Sequence, residues 1–183
     1  EIITLKNSFH GRTVATLAAT GQEMFHSMFL PLAGGFKYAD ASMEGIKSCV
    51  TGKTCAVMLE LIQGEGGVIP LDKLFVHELR SFCTENKILI IIDEVQTGVG
   101  RTGAFYCYQN YGVQPDVVSS AKALAGGLPM GACLCSERLG GIMGSGTHGS
   151  TFGGNPVACA GALAVLERVS EPAFLKGVRS KGQ

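Results

Sequence analysis

Strands alternating with helices predict an α/β fold, a mostly parallel wound sheet with helices on both faces. Three observations carry this expectation. Residues 88–92 (ILIII) are an apolar, mostly β-branched run ending at Asp93-Glu94, the pattern of a parallel strand covered on both faces. Residues 54–62 (TCAVMLELI) are a second such run. Between them, after Pro70, Leu71, Leu74, Phe75, Leu79 and Phe82 recur at helical spacing, so 54–92 reads as one strand–helix–strand unit.

The other elements follow in order. Residues 2–5 predict a strand, and residues 14–19 a short helix ended by Gly21. Ser42 is a capping residue for a helix carrying Met43, Ile46 and Val50, with Gly52 as its stop. Residues 116–121 (DVVSSA) predict a third buried strand that delivers Lys122 at its end. Gly126-Gly127 turns the chain into a strand at 131–136 (GACLCS). A small-residue loop then leads to a helix over 156–169, with Pro156 at the favoured first position. That helix is alanine-rich and apolar nearly all round, so burial on every side is expected.

Composition narrows the function classes. Hydrophobic residues make up 46% and charged residues only 16%, below the usual quarter, so surface as well as core is expected to be covered. Lys+Arg and Asp+Glu are both 15, which argues against a nucleic-acid or membrane surface. No apolar run approaches the ~18 residues of a spanning helix. Seven cysteines lie mostly inside apolar runs, as buried free thiols do, and a reducing compartment without disulfides or zinc is expected. The chain opens inside strand-like EIITL, without Met or a targeting segment, and closes just after a helix; it is expected to be part of a longer protein.

Two chemistries compete around residues 88–103. Gly98-x-Gly100-x-x-Gly103 matches a dinucleotide fingerprint, which would make the protein a nicotinamide-dependent dehydrogenase. That motif needs its first glycine directly after the strand and a helix opening at the third, whereas Asp93 to Thr97 intervene here. Thr51-Gly52-Lys53-Thr54 lacks the first glycine of a phosphate loop and is rejected. The second chemistry rests on Asp93 and Lys122, each at a strand end, where wound sheets bind ligands. A lysine in an apolar crevice loses its proton more easily and can attack an aldehyde. An acid at the other strand end supplies the anion that a pyridinium nitrogen needs. Taken singly, each is an ordinary strand-end residue.

The motifs FHGRT (9–13), ELIQGEGG (60–67), DEVQTGVGRTG (93–103), SAKALAGGLPMGA (120–132) and HGSTFGGNP (148–156) together resemble the class-III pyridoxal-phosphate aminotransferases. The resemblance runs along the whole chain. It implies the aspartate-aminotransferase fold (fold type I), with residues 1–183 as the central part of the large cofactor-binding domain. The upstream phosphate loop and the C-terminal small domain would lie outside them. It also implies a cytoplasmic homodimer with active sites at the interface. The activity implied is transfer of an amino group from N-acetylornithine to 2-oxoglutarate, a step of arginine biosynthesis. Ornithine, succinylornithine and 4-aminobutyrate stay open as donors; Phe9-His10 favours acetylornithine. A catalytically inactive fragment is the third reading.

The same resemblance implies roles for residues. Lys122 would hold pyridoxal 5'-phosphate and shuttle the substrate proton, Asp93 would pair with the ring nitrogen, and Glu94 beside it would be a further cofactor-binding residue. Phe9 and Val95 would pack on the ring faces and Gln96 would bond the ring hydroxyl; core or turn packing accounts for these residues equally simply. Thr151 would reach the phosphate of the partner subunit's cofactor, and Ser150 the substrate there; both also suit a loop that caps the following helix. Arg12 would bind a substrate carboxylate through its planar fork, since a cation in a first helical turn is otherwise unfavourable. Glu65 would pair with and release an arginine beyond Gln183, with Glu60 nearby, although a solvated strand-end acid explains either. Leu61 stands where this family usually has proline.

Overall fold

The computed structural model describes residues 1–182, and the chain divides after Asp93 into two compact units, Glu1–Asp93 and Glu94–Gln183.

In the first unit, strand β1 (Ile2–Leu5) leads to helix α1 (Val14–Ala19), then strand β2 (Phe36–Ala39) and helix α2 (Met43–Cys49). Strand β3 (Ala56–Leu59) follows, then a small ladder of β4 (Ile62–Gln63) and β5 (Ile69–Pro70), helix α3 (Lys73–Glu85) and strand β6 (Leu89–Asp93). The strands lie in the order β2-β1-β3-β6, all parallel. Register places Val57 beside Ile90 and Leu59 beside Ile92. Ile3, Leu5, Val57, Leu59, Ile90 and Ile92 are buried, as β-branched and branched-chain residues are in a covered parallel sheet. Parallel pairing brings the ends of β1, β3 and β6 to one edge, where Asp93 closes β6, Glu60 directly follows β3 and the Phe9-His10 segment follows β1.

Several expectations are corrected here. Residues 54–62 are not one strand: the chain leaves β3 after Leu59, and Ile62-Gln63 pairs antiparallel with β5. Helix α3 begins at Lys73 rather than near Leu71, because the Asp72 side chain accepts from Phe75 N at 2.9 Å and caps it. Phe75, Val76, Leu79 and Cys83 form its buried stripe, while Leu74 points to solvent at 74% exposure. Strand β2 has no apolar run to announce it; it is a sheet edge of mixed residues, FKYA. Arg12 precedes the cap Thr13 and so lies outside α1. Thr13 N donates to Thr16 Oγ1 at 3.0 Å, which starts that helix instead.

The second unit contains helix α4 (Tyr108–Tyr111), strand β7 (Val117–Ser120), strand β8 (Ala132–Cys135) and helices α5 (Pro156–Val169) and α6 (Pro172–Lys181). Strand β8 runs antiparallel to β7. Helix α5 starts where the sequence predicts: Asn155 accepts from Ala158 N at 2.9 Å and Pro156 occupies the first turn. Val99, Leu124 and Val169 form a buried cluster, with Phe105, Met130 and Leu175 against it. Burial of α5 on all sides does not hold. Ala158, Ala162 and Val169 are buried, but Val157 and Leu163 are exposed. The cysteines also divide: Cys83 and Cys107 are buried, whereas Cys55, Cys133 and Cys135 are exposed. No described helix is long and apolar enough to cross a membrane.

Candidate active site

Asp93 closes β6 and is nearly inaccessible. Its Oδ2 lies 2.8 Å from His10 Nδ1, with the two side chains 6% and 0% exposed. His10 is itself fixed, because its backbone N donates to Thr20 Oγ1 at 3.0 Å. A buried carboxylate in contact with an imidazole keeps one orientation and gains a charge-assisted bond if the ring is protonated. His10 Nε2 is buried with no hydrogen-bond partner among the described residues. The sequence singled out His10 only with Phe9, as favouring one donor, and gave it no contact with Asp93; its place in FHGRT, in the segment that follows β1, was the available signal.

Glu60 leaves β3 and sits beside this pair. Its Oε2 accepts from Phe9 N at 2.9 Å and its Oε1 from Gly64 N at 3.3 Å. One side chain thus joins the Phe9 segment to the QGEGG turn. Burial pushes the Glu60 carboxyl above its ordinary range; the two amides and the His10 charge oppose that shift, and the Asp93 charge adds to it. Glu65 stands exposed in the turn itself. Phe9 is half-buried, with its ring edge-on to Phe25 at 5.5 Å. The Arg12 guanidinium lies 4.5 Å from the Phe25 ring centre and 5.7 Å from that of Phe9.

In the second unit Glu94 is 1% exposed and tied down by its own loop. Thr97 Oγ1 donates to its Oε2 at 2.5 Å, and Tyr108 N to its Oε1 at 2.8 Å. Burial raises the Tyr108 phenol, and the charges of Glu94 and Tyr106 add to that. Val95 is half-buried and Gln96 exposed. The glycines that follow are filled from within. A Cβ at Gly98 would stand 2.6 Å from the Glu94 carbonyl oxygen, and one at Gly100 (φ 84) would stand 2.6 Å from a Val169 methyl. Arg179 occupies the space beside Gly103 and donates to its carbonyl. No helix opens at Gly103. Close internal packing therefore explains this motif, and it leaves no cradle for a pyrophosphate.

Lys122 follows β7 and opens the 3₁₀ turn 122–125, exposed and at φ 48. A non-glycine residue in the left-handed region is uncommon, and such strain concentrates where a side chain is aimed for a purpose. Ser150 and Thr151 are exposed in the loop before α5. Ser150 Oγ accepts from Gly153 N at 2.9 Å, and Ser150 lines an open cleft of about 780 Å³ with His148, Asn155 and Met130. Among the described residues no cluster of His, Cys, Asp and Glu could hold a metal.

Each unit thus carries one candidate group at a strand end of an α/β scaffold: a buried carboxylate set by an imidazole in the first, and a primary amine in the second. The aminotransferase class-III model matches residues 1–183, so the chain belongs to that family, whose cofactor is pyridoxal phosphate. It is 48% identical to a succinylornithine transaminase of Yersinia pseudotuberculosis, covering all of this chain and 44% of that protein. It is 50% identical to an acetylornithine aminotransferase of Caldanaerobacter subterraneus, covering 100% of this chain and 47% of that one. The chain thus spans under half the length of these relatives. Among solved structures, the ornithine aminotransferase of Toxoplasma gondii superposes with a TM-score of 0.89 at 30% identity over 96% of this chain and 42% of its own. The N-acetylornithine aminotransferase of Stenotrophomonas maltophilia gives 0.77 at 33%, over 99% and 42%. These neighbours bear out the α/β, fold-type-I expectation. Lys122 and Asp93 suit the cofactor: an amine for its aldehyde and an anion for its ring nitrogen.

Proposed function

We propose that this chain is the central part, residues 1–183, of the large domain of an aminotransferase that moves an amino group from N-acetylornithine, or a related ω-amino donor, to 2-oxoglutarate. The observation that carries it is Lys122, an exposed amine at a strand end in a strained backbone conformation. When bound, pyridoxal phosphate supplies an electron sink for the carbanion formed at the substrate Cα. Lys122 would hold the cofactor through its Nζ and would carry the proton to and from the substrate Cα. Asp93, oriented by His10, holds the ring nitrogen protonated. Phe9 and Val95 pack on the ring, and Gln96 bonds its hydroxyl. Thr151 meets the phosphate of the partner subunit's cofactor in a homodimer, and Ser150 the substrate there. Arg12 takes a substrate carboxylate, and Glu65 pairs with an arginine outside these residues. Glu94 and Glu60, whose oxygens are engaged by their own chain, position the DEVQ loop and the Phe9 segment.

The names of the relatives support an acetylated or succinylated ornithine as donor; with the acetylated donor, our reading places the reaction in arginine biosynthesis, in the cytoplasm. Borohydride reduction of the complete protein with added pyridoxal phosphate, followed by peptide mapping, is expected to fix one label at Lys122. A label elsewhere, or one that survives in Lys122→Ala, overturns the assignment. Asp93→Asn is expected to slow Cα-proton removal on the order of a hundredfold while the label at Lys122 persists. Unchanged exchange of the Cα proton would remove Asp93 from its role.

A further inference from the structure

Arg12 presents five donors, yet among the described residues its guanidinium has no hydrogen-bond or ion-pair partner. What holds it is the face of Phe25 at 4.5 Å, with Phe9 behind at 5.7 Å. An aromatic face attracts a guanidinium without consuming its N–H groups, so the fork stays available to a planar anion. Phe25 is in turn fixed from below. It ends the 3₁₀ turn 23–25, and its neighbour His26, which is buried, places Nε2 3.1 Å from the Leu17 carbonyl oxygen. Tyr38 Oη donates to the next carbonyl, Ala18 O, at 2.7 Å, and its ring lies against His26 at 5.8 Å. Helix α1 therefore anchors, through its last turn, the aromatic ring that holds the arginine just ahead of its first turn.

We infer that Phe25 is a positioning residue for substrate-carboxylate recognition: its ring holds the Arg12 guanidinium in place with the hydrogen-bonding fork unspent. This rests on the reading of Arg12 as the carboxylate-binding residue. Loss of the ring leaves Arg12 to sample many rotamers, and the entropy of fixing it then falls on substrate binding.

The test uses the complete protein with N-acetylornithine and 2-oxoglutarate. Arg12→Gln first identifies which substrate depends on Arg12, by the KM it raises. Phe25→Leu is then expected to raise that same KM roughly threefold to tenfold, the range open to a cation–π contact, with the change falling on KM rather than kcat. Phe25→Trp, which keeps a ring face, should leave that KM at or below the wild-type value. Independently of turnover, phenylglyoxal should modify Arg12 faster in Phe25→Leu than in wild type, and no faster in Phe25→Trp. An Arg12→Gln effect with no shift in Phe25→Leu, or a raised KM in Phe25→Trp, overturns the role of Phe25 and leaves that of Arg12 standing. If Arg12→Gln moves neither KM, the carboxylate assignment itself falls.

Discussion

Glu94 and Asp93 are adjacent acids with opposite duties. Asp93 has its Oδ2 against an imidazole, whereas Glu94 spends its oxygens on Thr97 and Tyr108, stitching residues 94–108 into one folded loop. Removing that carboxylate leaves a buried amide and hydroxyl unsatisfied. Glu94→Ala is expected to cost about 2–4 kcal/mol, read as a lower urea midpoint. Glu94→Gln, which retains one acceptor, should cost less; equal losses would show that charge alone matters. Glu60 makes a pH-dependent contribution of definite sign. Its carboxyl is raised in the folded state, so folding favours the protonated form. The stability it contributes is complete below its ordinary value of 4.5 and is lost as pH rises through the raised folded value. Urea midpoints measured from pH 4 to pH 8 should therefore fall less steeply in Glu60→Gln than in wild type. Parallel pH profiles would place the linkage elsewhere.

At the scale of elements, how much could be read beforehand depended on whether local signals decided the outcome. Helix α5 starts at Pro156 because a capping Asn and an N1 Pro satisfy its first turn without outside help. Strand β6 was equally legible, since its five residues need cover on both faces. Strand β2 was not, because an edge strand takes its partner from β1 rather than from its own pattern. The glycine run misled for a related reason. Gly98 and Gly100 are small to admit Tyr106 and Val169, and such long-range packing is invisible in a spacing motif. The site followed the same rule: Lys122 and Asp93 could be picked out at strand ends, while the His10–Asp93 bond and the Phe25–Arg12 stack exist only after folding. Helix α3 offers a direct comparison of buried and exposed leucines. Leu79→Ala, at a fully buried position, is expected to cost about 2–5 kcal/mol, and Leu74→Ala less than about 0.5 kcal/mol. Matching losses in thermal unfolding would mean that Leu74 is covered in the complete protein.

At the scale of the whole molecule, low charge and exposed apolar side chains belong together. Met24, Met28, Phe29 and Leu30 stand out from the first unit, and Phe152, Val157 and Leu163 from the second. Soluble proteins seldom leave so many large apolar groups in water without a partner surface. The relatives are more than twice as long as this chain, so in a protein of their length further polypeptide is available to cover them. Expressed alone, this 183-residue stretch is therefore expected to bind a hydrophobic dye, to self-associate in sedimentation, and to turn over no substrate. Phe29→Ser combined with Leu163→Lys should reduce both dye binding and association of the stretch while its helix content by circular dichroism stays the same. The complete protein should bind little dye, and there the same pair of substitutions should lower its thermal midpoint by uncovering what those residues pack against. A stretch that sediments as a dye-free monomer would show that these groups need no cover, and the reading of residues 1–183 as an incomplete domain core would fall with it.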